Sequence, residues 1–198
     1  AYVEPLCAEW GVPCTRGFID VPALTRSEMR GLEETARKAR YNFLAQVASQ
    51  QDAHIVAVAH NANDQAETVF MHLLRGTGLR GLRGMEYIMP MPNHNNITLI
   101  RPLLQMMRYL VEEYCFRHRI QPRHDTTNED MSYRRNRIRN EVLPMLRKET
   151  SALDYKLTEL AEIVSIEDNF MRAELQRLIA AHVETQPEEV IIPRNVYS

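Results

Sequence analysis

The run Ala53 to Ala59 (AHIVAVA) constrains this chain most. A short continuous apolar segment of that kind is the pattern of a strand buried on both faces, and such strands belong to parallel sheets covered by helices. The flanking segments agree. Gly31 to Gln50 reads as a long helix, with Leu32, Ala36, Ala39, Phe43, Leu44 and Val47 near one face and Glu33 and Glu34 placed favourably at its start. Before it, Pro13 to Val21 has the β-branched and apolar content of a strand, and Glu4 to Trp10 reads as the end of a helix closed by Gly11. Strand, helix, strand in this order predicts a right-handed βαβ crossover.

Downstream, a second helix is expected from Asn63 or Asp64 through Leu74, followed by a loop punctuated by Gly76, Gly78, Gly81 and Gly84. Asn93 to Asn96 reads as a turn, Ile97 to Arg101 as a strand and Leu104 to Arg119 as an amphipathic helix. From Gln121 to Asp130 the chain is polar, and from Met131 to about His182 it reads as helical with breaks near Pro144 and Ser151. The fold class expected is α/β, a partial doubly wound parallel sheet followed by a helical segment. The division is placed within 120–150, giving domains 1–125 and 126–198.

Composition narrows the class. No apolar run approaches the 18 to 20 residues of a membrane-spanning helix, so no membrane partner is expected. Cys7, Cys14 and Cys115 show no CxxC spacing, which suggests neither a disulfide framework nor a zinc site and fits a cytoplasmic protein. The formal net charge of −2 argues weakly against a nucleic-acid partner, but arginines crowd the stretch from Arg101 to Arg147.

Three segments carry chemistry. The first is AHNANDQAETVFMHLLRGTGLRGLRGM, from Ala59 to Met85. It follows the buried strand, at the carboxyl end of a sheet, where open α/β folds bind ligands. On a helix Asp64 and Glu67 share a face, with His60 just before it; two such carboxylates suit a magnesium ion or a substrate ammonium, and Arg75 suits a phosphate. The plainer alternatives are that Asp64 caps the helix, Glu67 is solvated and His60 is structural. A zinc hydrolase built from His60, Asp64, Glu67 and His72 is weaker, because the two histidines lack HExxH spacing. The second segment, DTTNEDMSYRRNRIRNEVLPML from Asp125 to Leu146, packs Arg134, Arg135, Arg137 and Arg139 into six residues. Arg135 and Arg139 share one helical face and Arg134 and Arg137 another, so one pair can meet phosphate or sugar while the other meets acids; a solvated, salt-bridged helix is the ordinary fate of such a run. The third, GLEETARKARYNFL from Gly31 to Leu44, sets Arg37 and Arg40 three apart on the helix before the buried strand.

In order and spacing, LEETARKARYNFL, VAHNANDQAETVFMHLLRGTGLRGLRGM, IRPLL and DTTNEDMSYRRNRIRNEVLPML resemble the tRNA(Ile)-lysidine synthetases, N-type ATP pyrophosphatases of the PP-loop superfamily; the likeness covers roughly Ile19 to Leu146. It implies an adenine nucleotide alpha hydrolase-like sheet and a ligase. That enzyme uses ATP and Mg2+ to adenylate the wobble cytidine of a CAU-anticodon tRNA(Ile), and lysine then displaces AMP. By the resemblance, Asp64 and Glu67 are catalytic and hold lysine or magnesium, with His60 beside them and Asp64 as the metal ligand. Arg37, Arg40 and Arg75 bind nucleotide, and Arg134, Arg135, Arg137 and Arg139 bind tRNA. Two departures stand out. No SGGxDS phosphate loop is present, so it is expected upstream of Ala1 in a longer parent, leaving this chain inactive alone and its exposed sheet edge open to a homodimer. The family's paired aspartates appear as Asn63 and Asp64.

Two other functions compete. A tRNA thiolase of the same superfamily would use the same adenylation but needs clustered cysteines. A non-catalytic tRNA-binding module would fit a chain without a phosphate loop.

Overall fold

The computed structural model describes residues 2–28, 31–123, 130–185 and 190–191. These form two compact units, one of 1–59 with 87–102 and the other of 60–86 with 103–198. The expected division at 125/126 falls outside the described residues, as does the 125–129 start of the arginine-rich motif.

The first unit begins with α1 (Val3–Glu9). Gly11, at φ +64°, ends it: its N–H reaches Ala8 O and that of Val12 reaches Cys7 O, a Schellman stop that a residue without Cβ adopts freely. Residues 12–20 do not form the expected strand, and Val21–Glu28 is a second helix, α2. The predicted βαβ crossover from Pro13–Val21 is therefore absent among the described residues. The segment instead passes close to the next helix: a Cβ on Gly17 would lie 2.5 Å from the Phe43 ring. Pro13 also lacks a donor for a ladder.

The long helix α3 (Leu32–Gln50) forms as expected. It covers a three-stranded sheet of order β1-β3-β2, built from β1 (Ile55–Ala57), β2 (Ile88–Met91) and β3 (His94–Ile100). β1 lies parallel to β3, with Val56 opposite Leu99, so the apolar run does enter a parallel pair. β2 returns antiparallel along β3 around a turn at Pro92 and Asn93, where Asn93 takes φ +64°. Asparagine tolerates that left-handed conformation better than most residues. No strand is expected from sequence over Ile88–Met91, and Pro90 sits there on an edge strand beside a register shift. Tyr41, Ala45 and Ala48 of α3 pack with Met91, Ile97 and Leu99, the last three no more than 1% exposed. Burying each such large side chain stabilises by about 1.5–3 kcal/mol.

The second unit is helical: α4 (Ala62–Arg75), the short α5 (Leu79–Leu82), α6 (Arg108–Arg117), α7 (Arg134–Arg137), a π-helical turn (Ile138–Val142), α8 (Leu143–Glu149) and α9 (Leu153–His182). The expected helix over Leu104–Arg119 begins later, at Arg108, because 102–106 is taken up by turns. A two-residue pair, β4 (Glu184–Thr185) and β5 (Val190–Ile191), follows α9. α4 packs along α9, and alanines make the close approach: Ala62, Ala66 and Ala161 are essentially buried, beside Val69 and Val164. The predicted break near Pro144 is instead a change of pitch. A proline inside a helix clashes with the carbonyl four residues back, here that of Asn140, and the wider π turn falls on that stretch, with Leu143 N–H bonded to Ile138 O. The break near Ser151 is present between α8 and α9. No described helix is long and apolar enough to cross a membrane.

Candidate functional site

Helix α4 carries the site because its N-terminus is firmly specified. Asn61 Oδ1 accepts the Asp64 N–H at 3.0 Å, and Asp64 Oδ2 accepts the Asn61 N–H at 3.1 Å, a reciprocal capping box. Such a box ties up backbone donors that would otherwise face water, and it fixes the Asp64 side chain. The plain reading of Asp64 as a helix-start partner is thus realised, but only for one of its oxygens. Glu67, a turn further on, is not on a solvated face: it is 2% exposed.

Both carboxylates meet two arginines from α7 and the π turn. Arg139 donates from Nε to Glu67 Oε1 at 2.6 Å, and from Nη2 to Glu67 Oε2 at 2.8 Å and Asp64 Oδ1 at 2.9 Å. Arg135 donates from Nε to Glu67 Oε2 at 2.9 Å and from Nη2 to Asp64 Oδ1 at 3.2 Å. Arg135 and Arg139 share a face, as their spacing predicts, and that face meets acids. Burial disfavours the charge on Arg139, but hydrogen bonds and attraction from Glu67 and Asp64 outweigh it and hold its pKa above the ordinary arginine value. A further fork, Arg147 onto both oxygens of Asp154 at 2.7 and 2.8 Å, ties α8 to α9. The Asp154 hydrogen bond, opposed by burial, raises the Arg147 pKa as well.

Arg134 and Arg137 are exposed on the opposite face of α7, where Arg137 Nη1 donates to the Met131 and Ser132 carbonyls. His60 precedes the Asn61 cap and is half-buried. Arg75 is exposed at the last residue of α4. In the first unit Arg37 and Arg40 are exposed on α3; the Arg37 guanidinium lies 5.5 Å from the Tyr41 ring centre, beside a cleft of about 440 Å³ shared with Lys38, Asn42 and Asn93.

Sequence reasoning passed over several supports. Asn63, the amide in place of an acid, accepts the Arg108 N–H at 2.8 Å and so caps α6, a role for which an amide oxygen serves as well as a carboxylate. Gln65 is buried and clamps the glycine loop, donating to Arg83 O and Met85 O and accepting from Met85 N–H. Arg83 is itself buried and pairs with Asp168 of α9 at 2.6 Å. The signal for Asn61 was present, an Asn three residues before an acid; Asp168 is 85 residues from Arg83, and no local pattern could join them.

A magnesium ion at these two acids would have to draw its remaining ligands from substrate phosphate oxygens and water. No described group of three or more His, Cys, Asp or Glu side chains converges on one point. Asp64 and Glu67 are already balanced by two guanidiniums, and a dication beside those would be repelled.

Residues 1–146 match the family described as the PP-loop domain, and the chain belongs to that family. Among curated proteins it is similar to tRNA(Ile)-lysidine synthases: 41% identical to that of Clostridioides difficile strain 630 over 74% of this chain and 30% of that one, 41% identical to that of Symbiobacterium thermophilum over 89% and 36%, and 30% identical to that of Clostridium acetobutylicum over 100% and 42%. The chain thus spans about 30–42% of the length of these relatives. Among solved structures it is similar to a U34-tRNA thiolase from Methanococcus maripaludis with its [4Fe-4S] cluster, at TM-score 0.62 and 15% identity over 82% of this chain and 56% of that one. That likeness bears on the fold, and it agrees with the α/β sheet expected from sequence.

Proposed function

We propose that the protein is a tRNA(Ile)-lysidine synthase, ligating L-lysine to the wobble cytidine of a CAU anticodon at the expense of ATP. ATP adenylates the C2 oxygen of the cytidine and releases pyrophosphate; the lysine ε-amine then attacks C2 and AMP departs. The curated relatives support the reaction, and one structural observation carries the assignment of the lysine site: the Glu67 carboxylate, buried on α4 beside Asp64, already holds organic cations. A lysine ammonium is the substrate group that such a pair recognises. Orienting it there holds the amine near its target and lowers the entropic part of the barrier.

In this reading Arg134 and Arg137, exposed where Arg135 and Arg139 are engaged, make the phosphate contacts to tRNA; Arg37, Arg40 and Arg75 serve the nucleotide, and His60 borders the lysine site. Such a protein works in the cytoplasm. The thiolase alternative is less well supported, because Cys7, Cys14 and Cys115 are free thiols in no described metal-binding group.

The test is Glu67→Gln in the full-length protein, assayed for lysine-dependent AMP release with a CAU-anticodon tRNA(Ile) transcript. Loss of lysine transfer with the fold retained is expected. Undiminished transfer would remove Glu67 from the site.

A further inference from the structure

The four-residue network is not symmetric. Arg139 makes three hydrogen bonds of 2.6 to 2.9 Å, while Arg135 makes two, at 2.9 and 3.2 Å, and its side chain is the more exposed, 29% against 24%. Arg135 also sits in the four-residue helix α7, whose N-cap residue Tyr133 offers no side-chain cap, whereas Arg139 lies in the π turn beside the buried Ile138 and ahead of the fully buried Leu143. One guanidinium is built in and the other leans on the site from its edge.

We propose that Arg135 is a gate: it occupies the cation seat on Glu67 and Asp64 until a substrate ammonium displaces it, while Arg139 stays and holds the carboxylates in place. This rests on the reading that lysine binds at these two acids. When Arg135 leaves, Glu67 Oε2 and Asp64 Oδ1 each recover an acceptor, and both face the vacated place. An ammonium has three donors and can take both. The exchange replaces one positive charge by another, so the buried Glu67 carboxylate and the half-buried Asp64 beside it are never left unpaired, the condition that makes broken ion pairs expensive. A dication entering in the same way would leave the cluster positive beside Arg139, so the gate favours a monocation. Arg135 is a positioning residue in this scheme. It keeps the acids aimed in the free protein, and it reduces apparent lysine affinity by the fraction of time it occupies the seat.

The experiment is steady-state kinetics in lysine for the full-length protein as wild type, Arg135→Gln and Glu67→Gln, together with NMR of arginine Nε–H groups in the wild type as L-lysine is added. A gate predicts that Arg135→Gln lowers KM for lysine by about tenfold with kcat little changed, since removing a competitor raises the competent fraction. It also predicts that the Arg135 Nε–H signal loses its protection on lysine addition while that of Arg139 persists. A higher KM in Arg135→Gln, or an Arg135 signal indifferent to saturating lysine, overturns the gate even where Glu67→Gln abolishes lysine transfer. Glu67→Gln that still saturates normally with lysine defeats the site assignment itself, and the gate with it. The wild-type NMR arm keeps the test decisive if Arg135→Gln fails to fold.

Discussion

The pair Glu67 and Arg139 offers a quantitative test of how this site is held, through the stability of the chain in urea. Arg139→Ala removes three charge-assisted hydrogen bonds, each of which contributes about 1.5–3 kcal/mol in general. The full sum overstates the loss. Water fills the place of a quarter-exposed guanidinium, and Arg135 still neutralises Glu67, so the expected cost is about 2–3 kcal/mol, below the ~3–5 kcal/mol of a fully buried pair broken on one side. Glu67→Leu replaces the acid by an apolar side chain of similar volume and leaves two arginines that can turn to water, so about 1–2 kcal/mol is expected. In the double variant neither charge is stranded, and the coupling between the two sites should reach about 1.5 kcal/mol or more. The exposed pair Arg117 and Glu113 on α6 is the control, with a coupling under about 0.5 kcal/mol that fades in salt. Equal couplings for the two pairs, or a Glu67–Arg139 coupling that disappears in 1 M salt, would refute the claim that burial makes this pair different.

Four further outcomes are expected. Asn61→Ala opens the capping box and should cost about 1 kcal/mol in the same urea assay, with Asn61→Asp nearly neutral. Gly84→Ala should lower the melting temperature by several degrees and loosen the glycine loop in hydrogen exchange, because φ is +64° there and the new Cβ would meet Gln65 Oε1 at 2.6 Å. Burial pushes the Asp168 carboxyl up, but hydrogen bonds from Arg172 and Arg83 and their charges prevail and hold it below the usual carboxylate range. Its contribution is therefore fully present above the unfolded pKa, about 3.9, and is lost as pH falls through the lower folded value; a carboxyl carbon NMR titration should find that midpoint, and the stability gap to Asp168→Asn should close across the same window. Pro144→Ala should cost Arg139 Nε–H its protection as the π turn relaxes to α pitch; a stabilised helix with that protection unchanged would contradict the link.

The fold was legible wherever a pattern was local. The helix of Leu32–Gln50 announced itself through its one buried stripe, and the run 53–59 announced a strand in a parallel pair but overstated its burial, since β1 is only Ile55–Ala57 and Ile55 is 61% exposed. Pro13–Val21 misled because β-branched content says what a strand tolerates, and only a hydrogen-bonding neighbour makes one. β2 drew no sequence expectation, and its Pro90 would argue against a central strand but not against the edge strand it forms.

The site was legible in part for the same reason. Spacing alone put Asp64 with Glu67 and Arg135 with Arg139, each pair on one helical face. That the two faces meet depends on contacts across 68 to 75 residues, which no periodicity encodes. Pro144 helps bring them together. It cannot sit in regular α geometry without striking the Asn140 carbonyl, the turn before it opens to π, and Arg139 lies within that wider turn with its guanidinium across both carboxylates. A residue that reads in sequence as a helix breaker thus serves in the structure to aim a side chain. The locally unfavourable choice falls beside Glu67, an acid that accepts three charge-assisted hydrogen bonds, and locally unfavourable residues in natural proteins tend to be kept where a particular geometry is needed.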